Sequence, residues 1–115
     1  MKTAIINIGT IGSLLAGPTE LPYSCAKAGL NALTIGLADA YAPKVRVNAI
    51  LPGAVDTDVT NAWTDEMRSG AASPLGRIGR PDEFVAAAVY FASAASSFTT
   101  GAILRIDGGM TRRVP

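Results

Sequence analysis

Three short apolar runs, Ala4 to Ile8, Val45 to Ile50 and Ala102 to Ile106, are separated by stretches whose apolar residues recur at helical spacing. Such runs suit strands covered on both faces, as in a parallel sheet. Between the first two, Tyr23 to about Tyr41 carries Leu30, Leu33, Leu37 and Ala38 on one helical face and is ended by Pro43. Between the second and third, Pro81 with Asp82 and Glu83 marks a helix start that continues to about Ala92, because a fixed φ and negative charge both favour a helix N-terminus. Gly12, Gly17, Pro18 and Pro22 punctuate a loop from Gly9 to Pro22. Pro52 and Gly53 stop the second strand, and Asp56 to Gly70 reads as a loop with one or two short helical turns. Strand, helix, strand, helix, strand predicts right-handed parallel crossovers. The expected fold is therefore one α/β domain of three parallel strands with crossover helices, without internal repeat or low-complexity segment.

Length and composition narrow the function classes. The chain has 115 residues, the length of one ordinary domain, and 49% of them are apolar, with many Ala and Gly that suit helices packed closely on a sheet. A net charge of +1 with scattered signs indicates neither a nucleic-acid partner nor an acidic tail, and Arg112 and Arg113 read as a solvated tail. No run of about 18 apolar residues is present, so neither a membrane span nor a secretory signal is expected. The single Cys25 cannot form an internal disulfide, and without histidine the usual metal and Cys/His nucleophile sets cannot be assembled. No metal is expected, Cys25 reads as a small helix-compatible residue, and a reducing cytoplasm fits.

The chemistry-bearing pair is Tyr23 and Lys27. Four residues apart on a helix, they share one face. The ammonium can thus approach the phenol, or a ribose bound beside it, and a nearby cation favours the ionised form that acid–base catalysis uses. Such a pair also forms many ordinary solvated faces, so its surroundings decide. Thr10 lies thirteen residues before Tyr23. The segments in order are Ile5-Ile6-Asn7-Ile8-Gly9-Thr10-Ile11-Gly12-Ser13, Tyr23-Ser24-Cys25-Ala26-Lys27-Ala28-Gly29-Leu30, and Val45-Arg46-Val47-Asn48-Ala49-Ile50-Leu51-Pro52-Gly53-Ala54-Val55-Asp56-Thr57. Pro74 to Glu83 and the ending Gly101 to Gly109 complete the set.

From about Ala4 to Met110 the chain resembles the C-terminal half of the short-chain dehydrogenase/reductase family. The resemblance implies the C-terminal part of a Rossmann-like, doubly wound parallel sheet, with residues 1–115 a single partial domain. It implies an NAD- or NADP-dependent oxidoreductase that interconverts a secondary alcohol and a carbonyl. Tyr23 would be the acid/base, and Lys27 would assist it and bind the nicotinamide ribose. Thr10 stands where the family usually has Ser, so a β-branched hydroxyl would hold the substrate oxygen in a narrower pocket. Ser13 is an alternative donor, but the interval to Tyr23 favours Thr10. Pro52, Gly53, Val55 and Thr57 would hold the nicotinamide, and Asp58 to Ser73, with Trp63 and Met67, resembles a lid over the substrate. Asn48 and Asp107 read as structural.

The family's glycine-rich phosphate turn, its ribose selector and its proton-relay Asn would precede Met1, so the isolated chain is expected to be inactive. The complete relatives imply a homo-oligomer. Two other readings stand beside this one: a non-catalytic interaction module that pairs with a complementary half, and a decayed or truncated reading frame. An open edge on the first strand would make the isolated chain sticky.

Overall fold

The computed structural model describes residues 3–115. Strand β1 (Thr3–Ile8), helix α1 (Leu21–Tyr41), strand β2 (Val45–Pro52), helix α2 (Asp65–Ser69), helix α3 (Val85–Ala92) and strand β3 (Ile103–Ile106) follow one another along the chain. The sheet has three strands in the order β1-β2-β3, and both pairings are parallel. β2 is central, and Val47, Ala49, Ile50 and Leu51 on it are buried, as are Ala38 of α1 and Phe91 of α3. A strand whose residues are buried on both faces needs cover on both, which explains the unbroken apolar run in β2.

The cover comes from opposite sides. Asn7 Nδ2 donates to Thr34 Oγ1 of α1 at 3.0 Å, whereas Arg46 donates to the Phe91 carbonyl of α3 at 3.1 Å. The register pairs Asn7 with Ala49 and Ala4 with Arg46, so these two side chains project from alternate, opposite faces of the sheet. α1 and α3 therefore lie on different faces, and the sheet is doubly wound. Two crossovers that step the same way across a sheet but use opposite faces have opposite hands. The expectation of two right-handed crossovers thus holds for only one of them. The long excursion from Gly53 to Arg80 lets the chain round the sheet edge and relaxes the packing constraint behind the usual hand.

Local boundaries also shift. α1 begins at Leu21 and takes Pro22 into its first turn, where a proline needs no partner for its missing N–H. β2 runs through Pro52, which pairs with Ile106 at the end of the ladder. Pro81–Phe84 is a 3-10 turn that leads into α3, and Asp58–Ala62 is a second one in the long excursion. β1 and β3 are the outer strands of the sheet.

Arg46 gathers the connection before β3. Its guanidinium donates to Ser96 Oγ and to the Phe91, Ser93 and Thr99 carbonyls, while Asn48 bonds the Thr99 carbonyl and the Ala102 amide. Asp107 turns the chain after β3 by accepting from the Gly109 and Thr111 amides and the Thr111 hydroxyl. Burial pushes its carboxyl up, but the Thr111 and Gly109 donors and nearby Arg105 outweigh this and hold it below the usual range.

Candidate active site

In a parallel sheet all strands end on one edge, and the segments that leave that edge form the place where α/β folds gather ligands. Thr10 leaves β1 there, Gly53, Val55 and Thr57 leave β2, with Pro52 its last residue, and Asp107 leaves β3. The first turns of α1, with Tyr23 and Lys27, return along the β1 end.

Lys27 ties α1 to the sheet. Its Nζ donates to the Ile8 carbonyl at 3.3 Å and stands 5.9 Å from the Tyr23 ring centroid, on the ring side rather than bonded to the phenol oxygen. One of its three donors is used, which leaves two for a ligand hydroxyl pair. Tyr23 is 52% exposed, so its hydroxyl can meet a ligand without rearrangement of the core.

Thr10 is committed in part. Its Oγ1 accepts from the Gly12 amide at 3.2 Å and so caps the 3-10 turn Ile11–Ser13, which is the turn role that a sequence reading must weigh against catalysis. The hydroxyl proton stays available to a ligand. Ser13 is more fully used: its Oγ donates to the Thr10 carbonyl at 2.7 Å and accepts from Asn31 Nδ2 at 2.8 Å. Asn31 thus fixes the Thr10 turn against α1, a role invisible in sequence because the pair is 18 residues apart. Among the described residues, the Oδ1 of Asn31 and the Oγ of Ser24 are buried without a hydrogen-bond partner.

After β2, Gly53 is explained by packing alone. A Cβ there would lie 2.8 Å from Asp107 Cα, and its amide extends the ladder to the Ile106 carbonyl. Val55 bridges in parallel to Gly79, and the Asp56 amide donates to the Gly79 carbonyl at 2.8 Å. Thr57 precedes the turn Asp58–Ala62 without capping it by its side chain, so its exposed hydroxyl is left for a ligand. The donors of Lys27, Thr57 and Tyr23 are of the kinds that suit a ribose and a carboxamide, and so fit the nicotinamide riboside part of a dinucleotide.

Beside this edge lies a cavity of about 380 Å³. Trp63 and Met67 line it from the lid-like segment, Phe84 from the turn before α3, and Ile106 and Met110 from either side of the last turn. Thr10, Tyr23 and Lys27 are not in its walls. Arg77 closes one side through a bidentate pair with Glu83 at 2.6 and 2.8 Å. The Arg77 guanidinium, with the Arg80 amide, holds the Glu83 carboxyl down at about 2. Sequence alone marks Trp63 and Met67 but gives no sign of the cavity, because its far walls come from Phe84, Ile106 and Met110, all distant along the chain.

The comparison with known proteins agrees with this architecture. Residues 1–111 match the family described as enoyl-(acyl carrier protein) reductase. The 3-oxoacyl-[acyl-carrier-protein] reductase FabG of Chlamydia trachomatis is 42% identical over 110 residues, which is 93% of this chain and 44% of that protein. The 7alpha-hydroxysteroid dehydrogenase of Clostridium sardiniense is 38% identical over 97% of this chain and 44% of its own length. The crystal structure of a gluconate 5-dehydrogenase from Burkholderia cenocepacia, in complex with NADP and tartrate, superposes with a TM-score of 0.90 at 35% identity, over 96% of this chain and 46% of that one. The chain belongs to the short-chain dehydrogenase/reductase family of oxidoreductases. It spans less than half the length of these relatives. Among the described residues no helix is long and apolar enough to cross a membrane.

Proposed function

We propose that this chain supplies the proton-transfer side and the nicotinamide side of an NAD(P)-dependent oxidoreductase that interconverts a secondary alcohol and a carbonyl. The observation that carries the reading is the convergence of Thr10, the Tyr23–Lys27 pair and the Pro52 to Thr57 segment on one edge of a parallel sheet. Tyr23 takes the hydroxyl proton of the alcohol during oxidation and returns it to the carbonyl oxygen during reduction. Thr10 donates to that oxygen and holds it in line. Lys27, held by Ile8, keeps a positive charge beside the phenol and binds the ribose. Pro52, Gly53, Val55 and Thr57 orient the carboxamide. A bound nicotinamide accepts or supplies the hydride, which is chemistry the protein orients but does not perform.

The pyrophosphate of the cofactor is held by residues outside this chain, as the length of the relatives suggests. The 115-residue chain alone therefore turns over no substrate, and a preparation joined to a complementary glycine-rich half does. NADH- or NADPH-linked turnover by the purified chain alone, lost in Tyr23→Phe, is the result that overturns this. The exposed apolar residues Leu33 and Ile35 on α1 and Val85 and Val89 on α3 support assembly of the complete enzyme into an oligomer, and the single free Cys25 suits a reducing cytoplasm.

The outer position of β1 favours a second reading, in which the chain is a non-catalytic module that pairs along this strand with a complementary half. Co-purification of such a half without NAD(P)-linked turnover distinguishes it; a lone monomer in solution excludes it.

A further inference from the structure

Thr10 stands in a connection that α1 holds on both sides of it. Lys27 donates to the carbonyl of Ile8, before Thr10, and Asn31 donates to the hydroxyl of Ser13, after it. Both anchors come from the helix that carries Tyr23, and Lys27 and Asn31 lie one turn apart on it. Between the anchors the backbone is wedged. Gly9 is buried, its amide donates to the Ile50 carbonyl at 2.9 Å, and a Cβ there would lie 2.5 Å from Leu51 Cδ2 and 3.5 Å from Asn31 Oδ1. β2 and α1 thus set together where Thr10 stands relative to Tyr23. Lys27 also faces the ligand, whereas Asn31 acts on the connection through Ser13.

The bonds from Asn31 have a direction. The Ser13 hydroxyl has one proton, which it donates to the Thr10 carbonyl at 2.7 Å. Its oxygen can then only accept from Asn31, so the amide NH2 faces Ser13 and the Oδ1 is left enclosed without a donor among the described residues. The Ser13 amide donates to the same Thr10 carbonyl at 3.1 Å, and the Gly12 amide donates to Thr10 Oγ1 at 3.2 Å. The carbonyl and the side-chain oxygen of Thr10 are therefore held by one turn, and its hydroxyl proton is the group left for a ligand. The same bonds keep the Ser13 proton turned inward, where it does not compete with Thr10.

We infer that Asn31 is a positioning residue of the active site: through Ser13 it fixes the Thr10 turn, so that the Thr10 hydroxyl and not the Ser13 hydroxyl meets the substrate oxygen beside Tyr23. This rests on the reading of Thr10 and Tyr23 as the groups at that oxygen. Misplacement of a reacting group by about 1 Å costs about a hundredfold in rate. Loss of the hold is therefore expected in kcat more than in KM.

The turn itself is read in the 115-residue chain, through the three-bond couplings from the backbone nitrogen and carbonyl carbon of Thr10 to its γ-methyl carbon. The parent chain is expected to show one χ1 rotamer, and Asn31→Leu and Ser13→Ala are each expected to show an average over several. In the form completed by a glycine-rich half, Asn31→Leu is expected to lower kcat about 10–100-fold with KM changed less than about threefold. In a Thr10→Ala background the same change is expected to lower kcat less than about twofold, because it acts through Thr10. A Thr10 rotamer untouched by both variants, or equal kcat losses in the two backgrounds, overturns the positioning role alone and leaves Thr10 and Tyr23 as assigned. A kcat untouched by Thr10→Ala overturns the part given to Thr10 itself, and the positioning role with it.

Discussion

Lys27 donates its ammonium hydrogen bond to the carbonyl of Ile8, the last residue of β1, and so holds the first turns of α1 over the strand end from which Thr10 departs. The bond is exposed, and exposed charged contacts contribute little to stability. Lys27→Met is therefore expected to shift unfolding in urea by less than about 1 kcal/mol. In a cofactor-competent form of the enzyme the same change is expected to lower turnover at least about a hundredfold, since it removes the cation beside Tyr23 and the ribose donor. A large stability loss with activity retained would reverse the assignment.

The Asn31–Ser13–Thr10 chain makes a different prediction. Ser13→Ala leaves the half-buried Asn31 amide without its partner and removes the hydroxyl bond to the Thr10 carbonyl, which keeps its bond from the backbone amide of residue 13, at a cost of about 1–3 kcal/mol. Asn31→Leu removes the orphaned Oδ1 together with the donor, and is expected to cost less than Ser13→Ala. Chemical denaturation of the two variants checks the order.

Two glycines separate packing from propensity. Gly53→Ala places a methyl 2.8 Å from Asp107 Cα and is expected to destabilise by about 1–3 kcal/mol. Gly29 lies inside α1, and a Cβ there would meet nothing within 4 Å, so its change to Ala is expected to gain about 0.5–1 kcal/mol. Thermal melts of the two variants should move in opposite directions.

Sequence reading reached the parts of this fold that rest on local chemistry. The apolar runs of β1, β2 and β3, the face of α1 and the short turns of the excursion are written in residues that neighbour one another. Pro22 misled at the start of α1, because a proline that breaks a helix interior is welcome in its first turn. What escaped depends on distant partners: the hydrogen bonds of Arg46, the hold of Asn31 on Ser13, the opposite faces of α1 and α3, and the far walls of the cavity. At the site, Thr10, Tyr23 and Lys27 could be singled out by type and interval. That Gly53 answers to Asp107 required the contact itself.

The Arg77–Glu83 pair gives the turn before α3 a pH dependence. Glu83 titrates at about 2 in the folded chain against an ordinary value of 4.5, so its contribution is full above about pH 4.5 and is lost as pH falls toward 2. In Glu83→Gln this component is absent. The difference in Tm between the parent chain and the variant is expected to be largest at neutral pH and to narrow steadily on acidification; a difference that does not change with pH would mean that the pair carries no such linkage.

The most direct test of the acid–base assignment is NADPH-linked reduction by a chimera that joins this chain to the part of the Chlamydia trachomatis FabG it does not cover. With a ketone series and the parent sequence, turnover is expected, and Tyr23→Phe is expected to lower kcat by about 10²–10⁴-fold while the protein stays folded. A folded, cofactor-binding chimera whose kcat is unchanged by Tyr23→Phe would contradict the account.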